Sequence, residues 1–195
     1  MMLLISTPLF ASEPFSLSSK AIKGKQEIGF DSGLKSMGKI DSIYAAKDKG
    51  DANLTSFPFS WKSIPKNTKF LALVFDDPDA KKIMEAYGMK GEAFIHWLVA
   101  DINPSLKQLK ANASLDKHDF IQGKNGMGTI GYIGPQPPSD FPADAIKPII
   151  HVYRLTVYAL SDSTGLKDGF TFDELQNAMK DKILGQSQIF MSYNN

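Results

Sequence analysis

Three apolar runs stand out along the chain and predict the buried strands of a sheet. They are Lys69–Asp76, Ala93–Ile102 and Ile149–Leu160. Apolar runs without strict alternation fit strands that are covered on both faces. Leu54–Trp61 instead alternates apolar and polar residues, which indicates a strand with one face buried and one exposed.

Thr171–Leu184 has the clearest helical pattern. Thr171 stands three residues before Glu174, the spacing of a capping box, and Gly185 is placed to end the helix. Lys81–Lys90 predicts at most one or two further helical turns at the surface. In Thr171–Leu184 the apolar residues recur at helical spacing and form one face, which consists of Leu175, Ala178, Met179 and Ile183.

Strands therefore dominate, and Ser187–Tyr193 again has extended character. Because no alternation of strands and helices runs through the chain, the pattern predicts a mainly β fold with two antiparallel sheets. No linker or internal repeat divides the sequence, so we predict one domain over residues 12–195.

The first eleven residues, MMLLISTPLFA, are apolar and uncharged. They are too short to span a bilayer, which takes about 20 apolar residues, and they predict the remnant of a secretory signal peptide. That interpretation implies a periplasmic or secreted protein. The alternative is an apolar N-terminal strand, which leaves a cytoplasmic location open.

Composition narrows the possible classes of function. The net charge is +1, with 22 basic and 21 acidic residues, so no strong field would attract nucleic acid or an anionic membrane. Cysteine is absent, which excludes disulfides, thiolate catalysis and cysteine-ligated metals.

Two of the three histidines, His96 and His151, lie within the apolar runs, whereas His118 lies in a polar stretch and is predicted to be at the surface. A buried histidine needs a hydrogen-bond partner or a pocket, so each of the two could be a binding residue or a satisfied core histidine. Asp77 follows a predicted strand directly, and Pro78 restricts its backbone to extended geometry. It could hold a carboxylate at the rim of a cleft, or form an ordinary Asp-Pro turn.

Gly126–Pro138 (GMGTIGYIGPQPP) combines glycines and prolines. Glycines allow the backbone to approach a ligand and to point amide groups at an anion, so the segment is either a rigid binding loop or a structural turn. It lacks the GK[ST] ending of a nucleotide-binding loop. The chain also has no GxSxG nucleophile motif and no HxH or HExxH spacing, so we predict a non-enzymatic protein without a metal or another cofactor.

Four motifs in order resemble the phosphatidylethanolamine-binding family, and most closely its bacterial Raf-kinase-inhibitor-like branch. They lie between Trp61 and Leu160. The motifs are DPDA at Asp77–Ala80, HWLV at His96–Val99, GYIGPQPP at Gly131–Pro138 and HVYRL at His151–Leu155.

The resemblance implies a large antiparallel sheet, a smaller second sheet, a C-terminal helix and a small pocket for phosphate-like or other anionic head groups. It also implies that Asp77 orients a histidine or receives an amine. The expected function is binding of a small anionic or phosphorylated ligand. The alternatives are a protein-interaction module that inhibits a kinase or protease, and an enzyme that uses His96 and Asp77 as an acid/base pair. The implied ligand-binding residues are Asp77, His96, Tyr132, Gly134, Pro138, His151 and Tyr153.

Three departures from the family pattern leave the identity of the ligand open. Lys81 replaces the last proline of the first motif, and Val152 replaces an arginine that the family often has after the strand histidine. An insert at Ser139–Ile150 is placed to cover or reshape the mouth of the pocket.

Overall fold

A computed structural model describes residues 13–30, 33–46, 53–86, 88, 90–136 and 150–193. These residues form ten strands and two α-helices. The strands are β1 (Ser16–Ser18), β2 (Ile22–Phe30), β3 (Gly33–Ile40), β4 (Phe59–Lys62), β5 (Phe70–Asp77), β6 (Phe94–Ile102), β7 (Gln108–Leu109), β8 (Ile121–Gln122), β9 (His151–Leu160) and β10 (Ile183–Tyr193). The helices are α1 (Lys81–Ala86) and α2 (Phe172–Met179).

The strands form two sheets, as the sequence predicted. The large sheet has seven strands in the order β2-β3-β10-β9-β5-β6-β8, and the small sheet has three in the order β1-β4-β7. Within the described residues every strand pair is antiparallel except β3 with β10, which run parallel at Met191 and Ser192.

Strand β5 lies between β9 and β6 in the large sheet, and its residues 71–77 are all buried. Leu71, Leu73 and Phe75 belong to the core between the two sheets. Ala72 and Val74 alternate with them and belong to a second core, which α2 covers with Leu175 and Met179. The prediction that this strand is covered on both faces is therefore confirmed.

The helix α2 starts as predicted and ends earlier. Thr171 and Glu174 form the predicted capping box, in which the Thr171 amide donates to Glu174 Oε2 at 2.7 Å. The prediction that the helix continues to Leu184 is wrong, because Ile183 already pairs with Leu160 of β9. Hydrogen bonding along the sheet outweighs the helical spacing of the apolar residues there.

Some predicted features lie outside the described residues. They are the apolar stretch 1–11, Pro138, and the insert at Ser139–Ile150 apart from Ile150 itself. Neither helix in the described part of the chain is long and apolar enough to cross a membrane.

Candidate functional site

Strands β5, β6 and β9 are neighbours in the large sheet, and their ends lie side by side. These strand ends bring together four of the predicted residues, namely Asp77, His96, His151 and Tyr153. Asp77 is the last residue of β5 and pairs with Phe94 at the start of β6. Strand β9 begins at His151, beside the same end of β5, and carries Tyr153.

A β-bulge determines where His96 points. Phe75 pairs with Trp97, but Asp76 pairs with Ile95, so His96 is the extra residue between them. Bulges redirect side chains, and this one brings the His96 ring to the side of the sheet occupied by the rings of Phe75 at 5.3 Å and Tyr153 at 5.2 Å.

Asp77 and His151 form a buried, hydrogen-bonded pair. Asp77 Oδ2 lies 2.6 Å from His151 Nδ1, and the two side chains are only 5% and 2% exposed. The other oxygen, Oδ1, accepts hydrogen bonds from the amides of Asp79 at 3.0 Å and Ala80 at 3.2 Å, which caps the 3-10 turn Pro78–Ala80. Both oxygens are therefore engaged, and the carboxylate holds the His151 ring in place.

The turn after β5 is also tied to the start of β9. Asp79 Oδ2 accepts a hydrogen bond from the Val152 amide at 2.8 Å. On the opposite face of the sheet, Asp76 is buried and bound by two nitrogens of Arg154. These bonds fix both strand ends and leave the imidazole of His151 as the group presented to the site.

His96 is held from the Gly-Pro loop. Its Nδ1 lies 2.9 Å from the carbonyl oxygen of Ile133. Since a carbonyl can only accept, Nδ1 carries the hydrogen, and Nε2 has a free lone pair when the ring is neutral. Burial lowers the pKa of His96 and outweighs the opposing charge of Asp77, so the neutral ring is favoured.

His151 has the opposite protonation tendency. Burial by itself would lower its pKa, but the hydrogen bond and charge of Asp77, with the charge of Asp79, outweigh burial and raise it. The site therefore combines a histidine that favours the cation with one that favours the neutral form.

Tyr153 carries the most informative polar atom of the site. Its hydroxyl is buried and has no hydrogen-bond partner among the described residues. Its ring lies 5.2 Å from His96 and 6.3 Å from His151. Burial, followed by the charge of Asp77, raises its pKa well above the ordinary value, so the hydroxyl keeps its proton and can donate it in a hydrogen bond. Buried polar groups are rarely left unpaired, so this hydroxyl is a candidate for contact with a ligand.

The hydroxyl of Tyr132, which the resemblance implies is a ligand-binding residue, is already engaged within the protein. Its hydroxyl donates to the Tyr44 carbonyl at 2.8 Å, and the residue is buried. Its ring stacks on Phe75 at 6.0 Å. Because the hydroxyl is already engaged, Tyr132 supports the wall of the site and anchors the loop.

Gly134 also has a packing role. A Cβ atom at this position would lie 2.7 Å from the Tyr44 carbonyl oxygen and 3.1 Å from the Ala46 nitrogen. Only a glycine permits this approach of two backbone segments. The segment around Tyr44 was missed by the sequence reasoning, because no local pattern links it to a loop about ninety residues later along the chain.

A polar network behind Tyr132 was missed as well. Ser114 Oγ accepts from the Tyr132 amide and donates to Gln122 Oε1, both at 2.8 Å. Gln122 Nε2 lies 2.9 Å from His118 Nε2. His118 was predicted to lie at the surface, but it is half-buried and stacks on Phe120 at 4.0 Å.

The family departures have local consequences. Lys81 forms an exposed ion pair with Glu92 at 2.5 Å. Val152 contributes its amide to Asp79 and offers no guanidinium to the site.

A separate open groove of about 550 Å³ is lined by none of the predicted site residues. Its lining consists of Trp61, Lys62, Ser63, Ile64, Pro104, Ser105 and Lys107.

Comparison with known proteins gives consistent matches. The family model described as phosphatidylethanolamine-binding protein matches residues 30–194. A UPF0098 protein of Methanothermobacter thermautotrophicus is 31% identical over 159 residues, which cover 80% of this chain and 91% of that protein. The protein YxkA of Bacillus subtilis is 34% identical over 156 residues, which cover 73% of this chain and 84% of that protein.

Solved structures agree with the fold. A phosphatidylethanolamine-binding protein homologue from Chlamydia trachomatis superimposes with a TM-score of 0.70 at 25% identity, and the match covers 93% of this chain and 97% of that one. Escherichia coli YbcL superimposes with a TM-score of 0.69 at 21% identity, covering 93% and 98%. The second likeness concerns the fold alone.

Proposed function

The chain belongs to the phosphatidylethanolamine-binding protein family, and we propose that it binds a small phosphate or phosphomonoester group at the site of His96, His151 and Tyr153. The observation that carries this proposal is the buried Tyr153 hydroxyl, which has no partner among the described residues and belongs to a ring that lies 5.2 Å from the ring of His96 and 6.3 Å from that of His151. A phosphate oxygen is a suitable acceptor for it.

The three side chains offer complementary bonds to such a ligand. His151, with its raised pKa, supplies a cation and a donor. Tyr153 supplies a hydroxyl donor in a buried position, where a hydrogen bond to a charged group is strong. Neutral His96 offers the lone pair of Nε2, which suits a ligand that carries a proton, such as a singly protonated phosphate or an ammonium group.

Asp77 acts through His151 in this proposal. The resemblance left open whether Asp77 orients a histidine or receives an amine such as that of ethanolamine. Both of its oxygens are engaged, one by His151 and the other by the turn amides. This arrangement favours the orienting role, and it leaves His96 as the group that would accept from an amine.

We further propose that the protein acts by binding and not by turnover. Asp77 holds the His151 ring in a fixed orientation, so that the second N–H of the protonated ring can donate to a bound anion. In the part of the chain that the structure describes, no specific observation favours the interaction module that inhibits a kinase or protease. A periplasmic or secreted location remains a prediction from residues 1–11.

The test is binding of inorganic phosphate and of phosphoethanolamine, measured by isothermal titration calorimetry and by phosphorus NMR. Tyr153→Phe keeps the ring and removes only the hydroxyl. We expect it to weaken phosphate affinity by about tenfold, the effect of one hydrogen bond to a charged group. The folded state should be as stable as the original protein or more so, because a buried unpaired hydroxyl is removed.

Tyr158→Phe is the matched control, because Tyr158 lies on the same strand and packs against the core on the other face of the sheet. It should leave phosphate affinity unchanged. Equal affinity for phosphate in the Tyr153→Phe protein and the original protein would remove the basis of the proposal. Tighter binding of phosphoethanolamine than of phosphate would identify an amine contact in addition to the phosphate contact.

A further inference from the structure

The open groove of about 550 Å³ lies beside the small sheet and shares no lining residue with the histidine site. One side of it is formed by residues 61–64, where β4 ends, and the other by residues 104, 105 and 107, which follow β6. Sites for small molecules commonly have volumes of roughly 300–1,000 Å³. The groove therefore has the size of a small-ligand site and is far smaller than a typical interface between proteins.

The two sides of the groove are joined by hydrogen bonds from one residue. The indole N–H of Trp61 donates to the Pro104 carbonyl at 3.1 Å, and its amide donates to the Lys107 carbonyl at 3.1 Å. Asn103 caps the 3-10 turn Pro104–Leu106 by accepting from the Ser105 amide at 3.0 Å. The groove is thus formed by the fold itself, as small-ligand sites usually are.

The floor of the groove is apolar and consists of Trp61, Ile64 and Pro104. Trp61 is only 4% exposed and belongs to the core between the two sheets, and Ile64 packs against that core. Because both N–H groups of Trp61 already have acceptors, the floor offers hydrocarbon and ring surface in place of hydrogen bonds. Covering it with an apolar group removes both surfaces from water, which favours binding.

The rim of the groove is basic. Lys62 and Lys107 line it and are exposed, whereas no acidic residue lines it. Neither lysine forms an ion pair with a carboxylate of the described residues. The chain as a whole carries a net charge of only +1, so this rim has a local excess of positive charge. Charge complementarity therefore calls for an anion.

We propose that this groove is a second binding site, which takes a small amphipathic anion with an apolar body and one acidic group. The apolar body covers the floor, and the acidic group lies between the ammonium groups of Lys62 and Lys107. The hydroxyls of Ser63 and Ser105, which also line the groove, are further donors for the acidic group. The proposal does not depend on what the histidine site binds.

Both parts of such a ligand are required. Exposed ion pairs contribute little in water, so the two lysines do not hold a small inorganic anion by themselves. The apolar floor supplies most of the affinity, and the lysines select an acidic molecule over a neutral one of the same shape. The histidine site differs, because its donors are buried and its proposed ligand is polar.

Titration with octanoate tests the proposal, with octanol and acetate as probes that each lack one part. The chain has two tryptophans, which give two indole N–H signals in nitrogen-15 NMR. Trp97 is fully buried and donates to Gln122 at 2.7 Å, so it serves as the internal control. Octanoate should shift the signal of Trp61 and leave those of Trp97 and the histidine rings in place. Octanol should bind more weakly, and acetate should not bind.

Paired variants separate charge from shape. K62Q/K107Q should weaken octanoate by about threefold to tenfold, the effect of two exposed ion pairs, and should leave octanol unchanged. K66Q/K110Q removes the same charge from exposed lysines outside the lining, and should leave both affinities unchanged.

A second pair of variants tests the volume of the groove. Ser105→Phe fills part of it, keeps both lysines, and should abolish octanoate binding. Leu106→Phe adds a ring at the next residue, which is 51% exposed and outside the lining, and should have no effect.

Three outcomes would overturn the proposal. They are a Trp61 signal that octanoate leaves unmoved at every soluble concentration, equal affinity for octanol and octanoate, and octanoate binding that K62Q/K107Q leaves intact. Shifts of the histidine ring signals without a shift of Trp61 would place octanoate at the histidine site and would overturn it as well. Phosphate affinity should be the same in all four groove variants and controls, so the outcome for the histidine site is judged separately.

Discussion

At the scale of single residues, the site depends on two histidines that differ in their neighbours. His96 is enclosed by aromatic rings and bonds to a neutral carbonyl, whereas His151 bonds to a carboxylate. The sequence places both in apolar strands, and this alone would suggest similar behaviour. Their difference arises from Asp77, which lies on another strand, so it could not be derived from the surroundings of either histidine in the sequence.

The first prediction concerns the titration of these histidines, followed by NMR of the ring protons. The pKa of His151 should lie above the ordinary value of about 6.5, and that of His96 below it. Asp77→Asn should lower the pKa of His151, because it removes the negative charge that stabilises the imidazolium. His118→Gln identifies the third set of ring signals and should leave the other two in place.

The raised pKa of His151 also affects the stability of the folded protein. A pKa that is raised in the folded state adds stability that is fully present below about pH 6.5 and is lost as the pH rises through the folded-state value. The free energy of unfolding of the original protein should therefore exceed that of Asp77→Asn most below pH 6.5, by about 1–3 kcal/mol. The difference should shrink above the raised pKa. A difference that grows with pH would contradict the assigned pair.

At the scale of elements, the site is built from the ends of strands and from one loop. Strands β5, β6 and β9 each contribute a terminal or near-terminal residue, and the loop after Gly131 contributes the Ile133 carbonyl. The apolar runs predicted these strands to within a residue or two. The bulge at His96 was not predicted, because a bulge depends on the register with a neighbouring strand, which a single strand does not encode.

The loop gives a second prediction. Gly134→Ala would place a methyl group 2.7 Å from the Tyr44 carbonyl oxygen, and backbone on both sides must move to admit it. We expect a loss of about 1–3 kcal/mol in the free energy of unfolding, as for other overpacked sites. Because Ile133 precedes this glycine, phosphate affinity should fall as well. Unchanged stability and affinity, measured by urea unfolding and calorimetry, would show that the contact is not tight.

At the scale of the whole molecule, the fold could be predicted largely from the family resemblance, while the place of the last strand could not. The pattern favoured a helix through Leu184 and indicated an extended segment only from Ser187. In the structure, β10 lies between β3 and β9, so the end of the chain occupies the interior of the large sheet. Its position depends on pairing with strands far away in sequence, which local periodicity cannot show.

The interior position of β10 leads to the last prediction, which concerns Met191. This residue is fully buried in the core between the two sheets, and it pairs with Tyr153 on one side and Gly38 on the other. Met191→Ala should therefore cost about 2–5 kcal/mol, as truncations of buried side chains do. Met127→Ala removes the same atoms from a residue that is 66% exposed, and should change stability by less than about 0.5 kcal/mol. Because β10 joins strands from both ends of the chain, the loss should lower a single cooperative transition in urea. A separate early transition in the Met191→Ala protein would instead show that β10 detaches without unfolding the rest of the sheet.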